Sequence, residues 1–141
     1  MFLAVLFLGI VLLNRKDVQL QSQHSSQLRR LSASGYELVT VAEFNNPNLL
    51  SSTLTSVHEK FYINGKSVGI LHMEPEQGIP GRKVTSFPVS LRIPASDLVA
   101  VLVDSRVQTV LLEIEGEIAF RNFTGGGKMN VQISDSVRIV N

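Results

Sequence analysis

The chain has 141 residues, 44% of them hydrophobic and 18% charged, with 13 Lys and Arg against 12 Asp and Glu and no cysteine. That length holds one domain of about 100–110 residues with a single core, plus a leader. The missing cysteines exclude disulfides, thiolate metal sites, a cysteine nucleophile and a lipid-modified N-terminal cysteine. The positive charge is local: Arg15, Lys16, Arg29 and Arg30 against Asp17 give the part before Gly35 a net +3, which leaves the rest at −2. A mildly acidic body lacks the basic patch from which nucleic-acid binding draws its counterion release, so nucleic acid is not an expected partner.

The first 16 residues set themselves apart from 17–141, which reads as the folded body. Phe2, Leu3, Val5, Leu6, Phe7, Leu8, Ile10, Val11, Leu12 and Leu13 form an uncharged apolar run that stops at Arg15 and Lys16. As a helix it reaches only about 20 Å against a hydrocarbon core of about 30 Å. A cleavable signal peptide carries its positive charge before the apolar run and a small-residue site after it, and neither is seen. The expectation is an apolar helix that contacts a membrane as a signal anchor, with cleavage left open. The body is expected on the extracytoplasmic side, although Arg15 and Lys16 taken literally place it in the cytoplasm. The alternative is a buried strand or helix of the core.

Residues 17–33 are polar with Val18, Leu20, Leu28 and Leu31 interspersed, which fits an edge strand or a bridging segment. Tyr36 to Phe44 alternates apolar and polar residues and stops at the turn formers Asn45, Asn46, Pro47 and Asn48. Asn64 and Gly65 then sit between VHEKFYI and KSVGILH as a two-residue hairpin loop needing positive φ at both positions. Pairing Ile63 with Lys66 gathers Val57, Phe61, Ile63, Val68 and Ile70 on an inner face. It leaves His58, Lys60, Tyr62 and Ser67 outside. The same register sets Glu59 diagonal to His72 and puts His58 and His72 on opposite faces.

Pro75, Gly78, Pro80 and Gly81 make 74–82 an irregular connection. Phe87, Val89, Leu91 and Ile93 mark a half-buried strand that Pro88 assigns to an edge or bulge and Pro94 ends. Ser96 caps a short helix running to Asp104, with Asp97 in its first turn and Leu98, Val101 and Leu102 inward. In the last third, Val110, Leu112, Ile114, Ile118 and Phe120 point inward, and Glu113, Glu115, Glu117 and Arg121 outward. Gly116 falls on the inner side and permits a bulge or close approach. Gly125, Gly126 and Gly127 turn the chain into a strand with Met129, Val131, Ile133, Val137 and Ile139 inward. The expected fold is all-β: a two-sheet antiparallel sandwich of fibronectin type III or immunoglobulin type, with one short helix.

The order of Asn46-Pro47-Asn48 after the first inner strand, Asn64-Gly65 followed by Gly69, a proline-containing loop, one helix and a final hairpin with Gly116 resembles the late embryogenesis abundant group 2 family. That family overlaps the water stress and hypersensitive response domain, and the resemblance spans roughly 18–140. It implies a folded β-sandwich serving as a binding or stress-protective module, often behind a membrane or export segment, and it brings no catalytic residue. The chain departs from plant membrane-bound members in lacking a long basic tail, and from bacterial lipoprotein members in lacking a cysteine.

The remaining chemistry is sparse. His24, His58 and His72 are the only histidines, and the register above keeps the last two from sharing an ion. The Glu59–His72 diagonal reads as a structural contact at a sheet edge before an acid–base pair. Glu113, Glu115 and Glu117, spaced by two on a strand, form a solvated stripe without the oxygen cage of a calcium site. No helix start of the phosphate-loop kind follows Gly125–Gly127. Asn122-Phe123-Thr124 satisfies the glycosylation sequon. The expectation is therefore a non-catalytic, membrane-tethered binding or protective domain, with no cofactor, no metal and no small-molecule substrate, acting on protein partners the sequence does not name. The alternative is a structural accessory subunit of a larger membrane or secretion complex.

Overall fold

The computed structural model describes residues 18–32, 35–98, 109–122 and 125–140. The apolar run from Phe2 to Leu13, the helical positions Val101, Leu102 and Asp104, and Phe123-Thr124 of the sequon lie outside these residues. In chain order the described elements are β1 (Gln19–Ser32), β2 (Gly35–Asn46), β3 (Ser52–Ile63), β4 (Lys66–Met73), β5 (Gln77–Ile79), β6 (Lys83–Pro94), α1 (Ala95–Leu98), β7 (Thr109–Asn122) and β8 (Gly125–Val140).

The period-two pattern accounts for most of these strands. In β2 every second residue, from Tyr36 through Leu38, Thr40, Ala42 and Phe44 to Asn46, is buried, and in β7 the same holds for Val110, Leu112, Ile114, Ile118 and Phe120. β6 pairs with β2 without interruption from Gly35↔Pro94 to Asn46↔Lys83, and it forms one edge of the sheet, where its two prolines are tolerated. α1 starts at Ala95, so Ser96 lies inside it and does not cap it; Asp97 stands in the first turn and Leu98 is fully buried.

Among the described residues the fold is all-β with one short helix, but the strands form one mixed sheet in place of two antiparallel ones. The order is β4-β3-β7-β8-β1-β2-β6, with β5 joined to β3. The halves β4-β3-β7-β8 and β1-β2-β6 are joined within the sheet by three parallel pairs, Gln27↔Arg138, Leu28↔Ile139 and Arg29↔Val140. Around that joint the halves fold over a common core, in which Phe44, Phe61, Leu28, Leu38, Ile93 and Ile114 are fully buried. Their far edges come together as well: a β-carbon added to Gly69 on β4 would stand 3.3 Å from the Leu91 side chain on β6.

Four local expectations are corrected. β1 is an inner strand that bridges the two halves, not an edge. Its register shifts between Leu20 and Ser22 and between Ser25 and Leu28, so its inward residues Gln23 and Leu28 follow no simple alternation. The connection at 74–82 holds a short ladder, Ser52↔Ile79 to Leu54↔Gln77, because the stretch between Pro75 and Pro80 is free of proline and Ile79 inserts into the core. Gly125, Gly126 and Gly127 are not the turn: they pair with Asn122, Arg121 and Phe120 as the start of β8. The fourth correction, in the β3–β4 hairpin, decides the geometry of the site.

Candidate functional site

Asn64 and Gly65 adopt φ of 48° and 83°, and Ile63 pairs with Lys66, as a two-residue loop requires. Asn64 also fastens the loop to β7, since its Oδ1 accepts from the Leu111 amide at 2.8 Å and its own amide donates to the Leu111 carbonyl at 2.9 Å. Beyond the turn, Tyr62 pairs with Ser67 and Phe61 with Gly69, leaving Val68 as an extra residue in β4. This bulge turns Val68 and Gly69 toward the core in succession and moves everything after them to the opposite face. Ile70, expected inside, is 58% exposed.

The same slip rearranges the ionisable residues. His58 now faces His72 directly across the ladder, on the outer face, with Nδ1 of each ring 3.3 Å from the other and the rings edge-on at a centroid distance of 5.4 Å. Glu59 points inward and is 1% exposed, so the Glu59–His72 diagonal does not exist. Its Oε1 accepts from Gln23 Nε2 at 3.2 Å, while Gln23 Nε2 also lies 3.4 Å from Thr40 Oγ1. Glu59 Oε2 and Gln23 Oε1 find no hydrogen-bond partner. Burial pushes the Glu59 carboxyl above its ordinary value, against the smaller pull of the Gln23 bond. Sequence reasoning missed Gln23 as the partner because the bulges in β1 hide which of its polar residues turns inward.

The Asn46-Pro47-Asn48 motif is a clamp. Asn46 and Asn48 are both buried. Asn46 Nδ2 donates to the carbonyls of Ile79 (3.0 Å) and Leu50 (3.2 Å), and its Oδ1 accepts from the backbone and side-chain nitrogens of Asn48, each at 3.0 Å. The Arg82 amide closes the loop onto the Asn46 and Asn48 carbonyls. Gly116 is held by close approach: a β-carbon there would collide with the His58 carbonyl oxygen and lie 2.8 Å from Glu59 Cα. Asn46, Asn48 and Asn64 thus hydrogen-bond loops to neighbouring backbone, Gly65 takes the positive φ of the turn, and Gly69 and Gly116 stand at close approaches.

The outer face of β4, β3, β7 and β8 carries most of the remaining sequence-predicted polar residues. Tyr62 donates its hydroxyl to Glu115 at 3.0 Å, and that carboxylate holds the phenol above its ordinary value. Glu113, Glu115 and Glu117 form the solvated stripe expected of them. An open groove of about 430 Å³ runs between His58, Lys60, Glu117 and Asn130, and a second of about 270 Å³ between Tyr62, Glu113, Gln132 and Ser134. Among the described residues no three His, Asp or Glu converge on one point, and no helix is long and apolar enough to cross a membrane.

The family model described as late embryogenesis abundant protein, LEA_2, matches residues 41–137. A solution structure of a protein from Arabidopsis thaliana superposes with a TM-score of 0.65 at 14% identity, covering 89% of this chain and 87% of that one. A crystal structure of a protein from Archaeoglobus fulgidus does so with a TM-score of 0.61 at 14% identity, covering 87% and 99%. At such identities the likeness is one of fold. No curated protein matches the chain.

Proposed function

Because the chain belongs to the late embryogenesis abundant family LEA_2, we propose that it is a non-catalytic β module that acts by binding or protective contact with other macromolecules. The family match over 41–137 carries this reading, since the motif residues it spans serve the fold and bring no reacting group. The outer face supports it: imidazole, ammonium, phenol, carboxylate and amide groups stand in open grooves of an extended strand surface, suited to broad polar contact with a protein rather than to enclosing a small substrate. The apolar run Phe2 to Leu13 tethers the module at a membrane as an apolar helix, with Arg15 and Lys16 at headgroup level and the body on the extracytoplasmic side.

The test is protection. Residues 15–141 are mixed at low molar ratio with an enzyme that loses activity on drying or freeze–thaw, beside an inert protein of equal size. Retained activity above the inert control is expected. Equality with that control overturns the protective reading.

A further inference from the structure

The geometry points to a metal site on the outer face of the hairpin: we propose that His58 and His72 bind one divalent ion of the zinc, copper or nickel group through their two Nδ1 atoms. This goes beyond the contact function above and does not depend on it.

The argument starts from the bulge. Val68 as the extra residue in β4 brings His72 opposite His58, and both side chains are solvent-exposed. Two nitrogens bound to one ion at about 2.0–2.1 Å and a tetrahedral angle lie about 3.3–3.4 Å from each other. The two Nδ1 atoms stand 3.3 Å apart with the rings inclined by 64°, a separation that matches two nitrogens on one tetrahedral ion.

The surroundings add negative charge. Ligation through Nδ1 leaves the proton on Nε2, and His72 Nε2 lies 3.8 Å from the exposed Glu74 carboxylate, too far for a hydrogen bond but near enough to favour a cation beside the ring. Glu117 is the cross-strand neighbour of His58 on β7 and lines the same groove, adding negative charge that offsets Lys60. Two imidazoles select a borderline ion such as Zn²⁺, Cu²⁺ or Ni²⁺ over Ca²⁺ or Mg²⁺, which take oxygen ligands. The protein supplies two ligands, so the remaining positions are open to solvent or to a donor on an incoming molecule. The ion would also pin the edge strand β4 to β3.

The full-length protein is titrated with Cu²⁺ and, separately, with Zn²⁺. One equivalent of Cu²⁺ is expected, with electron paramagnetic resonance couplings to two nitrogens, and Zn²⁺ is expected to compete for it and to raise the thermal midpoint. His58→Gln and His72→Gln each lose the two-nitrogen signal and the Zn²⁺-dependent rise, whereas His24→Gln keeps both. The two hairpin variants keep the metal-free midpoint, because both rings are exposed. Absence of saturable binding, or a two-nitrogen signal that survives His58→Gln and His72→Gln, overturns the proposal.

Discussion

Replacing Glu59 with glutamine removes the one described carboxyl that is buried with an oxygen left unpartnered. In the unfolded chain this group ionises near 4.5, and burial raises its value in the fold. Between those two values the unfolded chain has released the proton while the folded protein still holds it. Folding stability therefore falls as pH rises through the window, and the loss is complete above the folded-state value. The slope approaches roughly 1.4 kcal/mol per pH unit while the difference is a full proton. Glutamine has the same size, stays neutral and does not titrate. Urea midpoints of the two proteins, measured at each pH from 4 to 8, should lie close together at pH 4 and diverge as pH rises, with Glu59→Gln the more stable at pH 8. Parallel curves would refute the argument, because they would mean that Glu59 titrates in the fold as it does in the open chain.

Gly65→Val should lower folding stability by about 1 kcal/mol or more, read as a lower denaturation midpoint, since the position has φ of +83°; an unchanged midpoint contradicts the turn. Gly116→Ala drives a methyl group into the backbone of β3 and should cost about 1–3 kcal/mol by the same assay. Ile114→Asp buries an unpaired charge in a fully enclosed position and should abolish folding, as read by circular dichroism, whereas Glu115→Lys on the outer face leaves the midpoint nearly unchanged. Reversal of that pair would mean the two faces of β7 are exchanged. Deleting residues 1–14 should convert a protein that needs detergent into one that does not; solubility of the full-length chain in its absence overturns the tether.

Where the pattern in the chain is a plain alternation, the fold could be read in advance. β2, β6 and β7 obey period two along their length, and the Asn64-Gly65 loop declares itself by the conformation it requires. Reading failed where one residue is inserted, because a bulge carries no strong signature of its own and inverts every assignment beyond it. Val68 did this to the hairpin: a glycine next to it was the only hint, and Ile70, His72 and the contact imagined for Glu59 all followed the wrong phase. The bulges in β1 similarly concealed an inner strand beneath a polar sequence. The joint between β1 and β8 was illegible for another reason. It depends on three residue pairs brought from opposite ends of the folded body, which local spacing cannot announce.

That joint also orders events in time. Leu28 finds Ile139 only after some 110 intervening residues have been placed, and the entropy of closing so long a loop must be met before the contact returns anything. Hairpins β1–β2, β3–β4 and β7–β8 are local and can form as the chain emerges, but the seam between the halves waits for residues 138–140. During synthesis the apolar faces already made therefore lack the cover that the seam brings, and the interval before the last strand is delivered is when this protein is most exposed to the wrong partner.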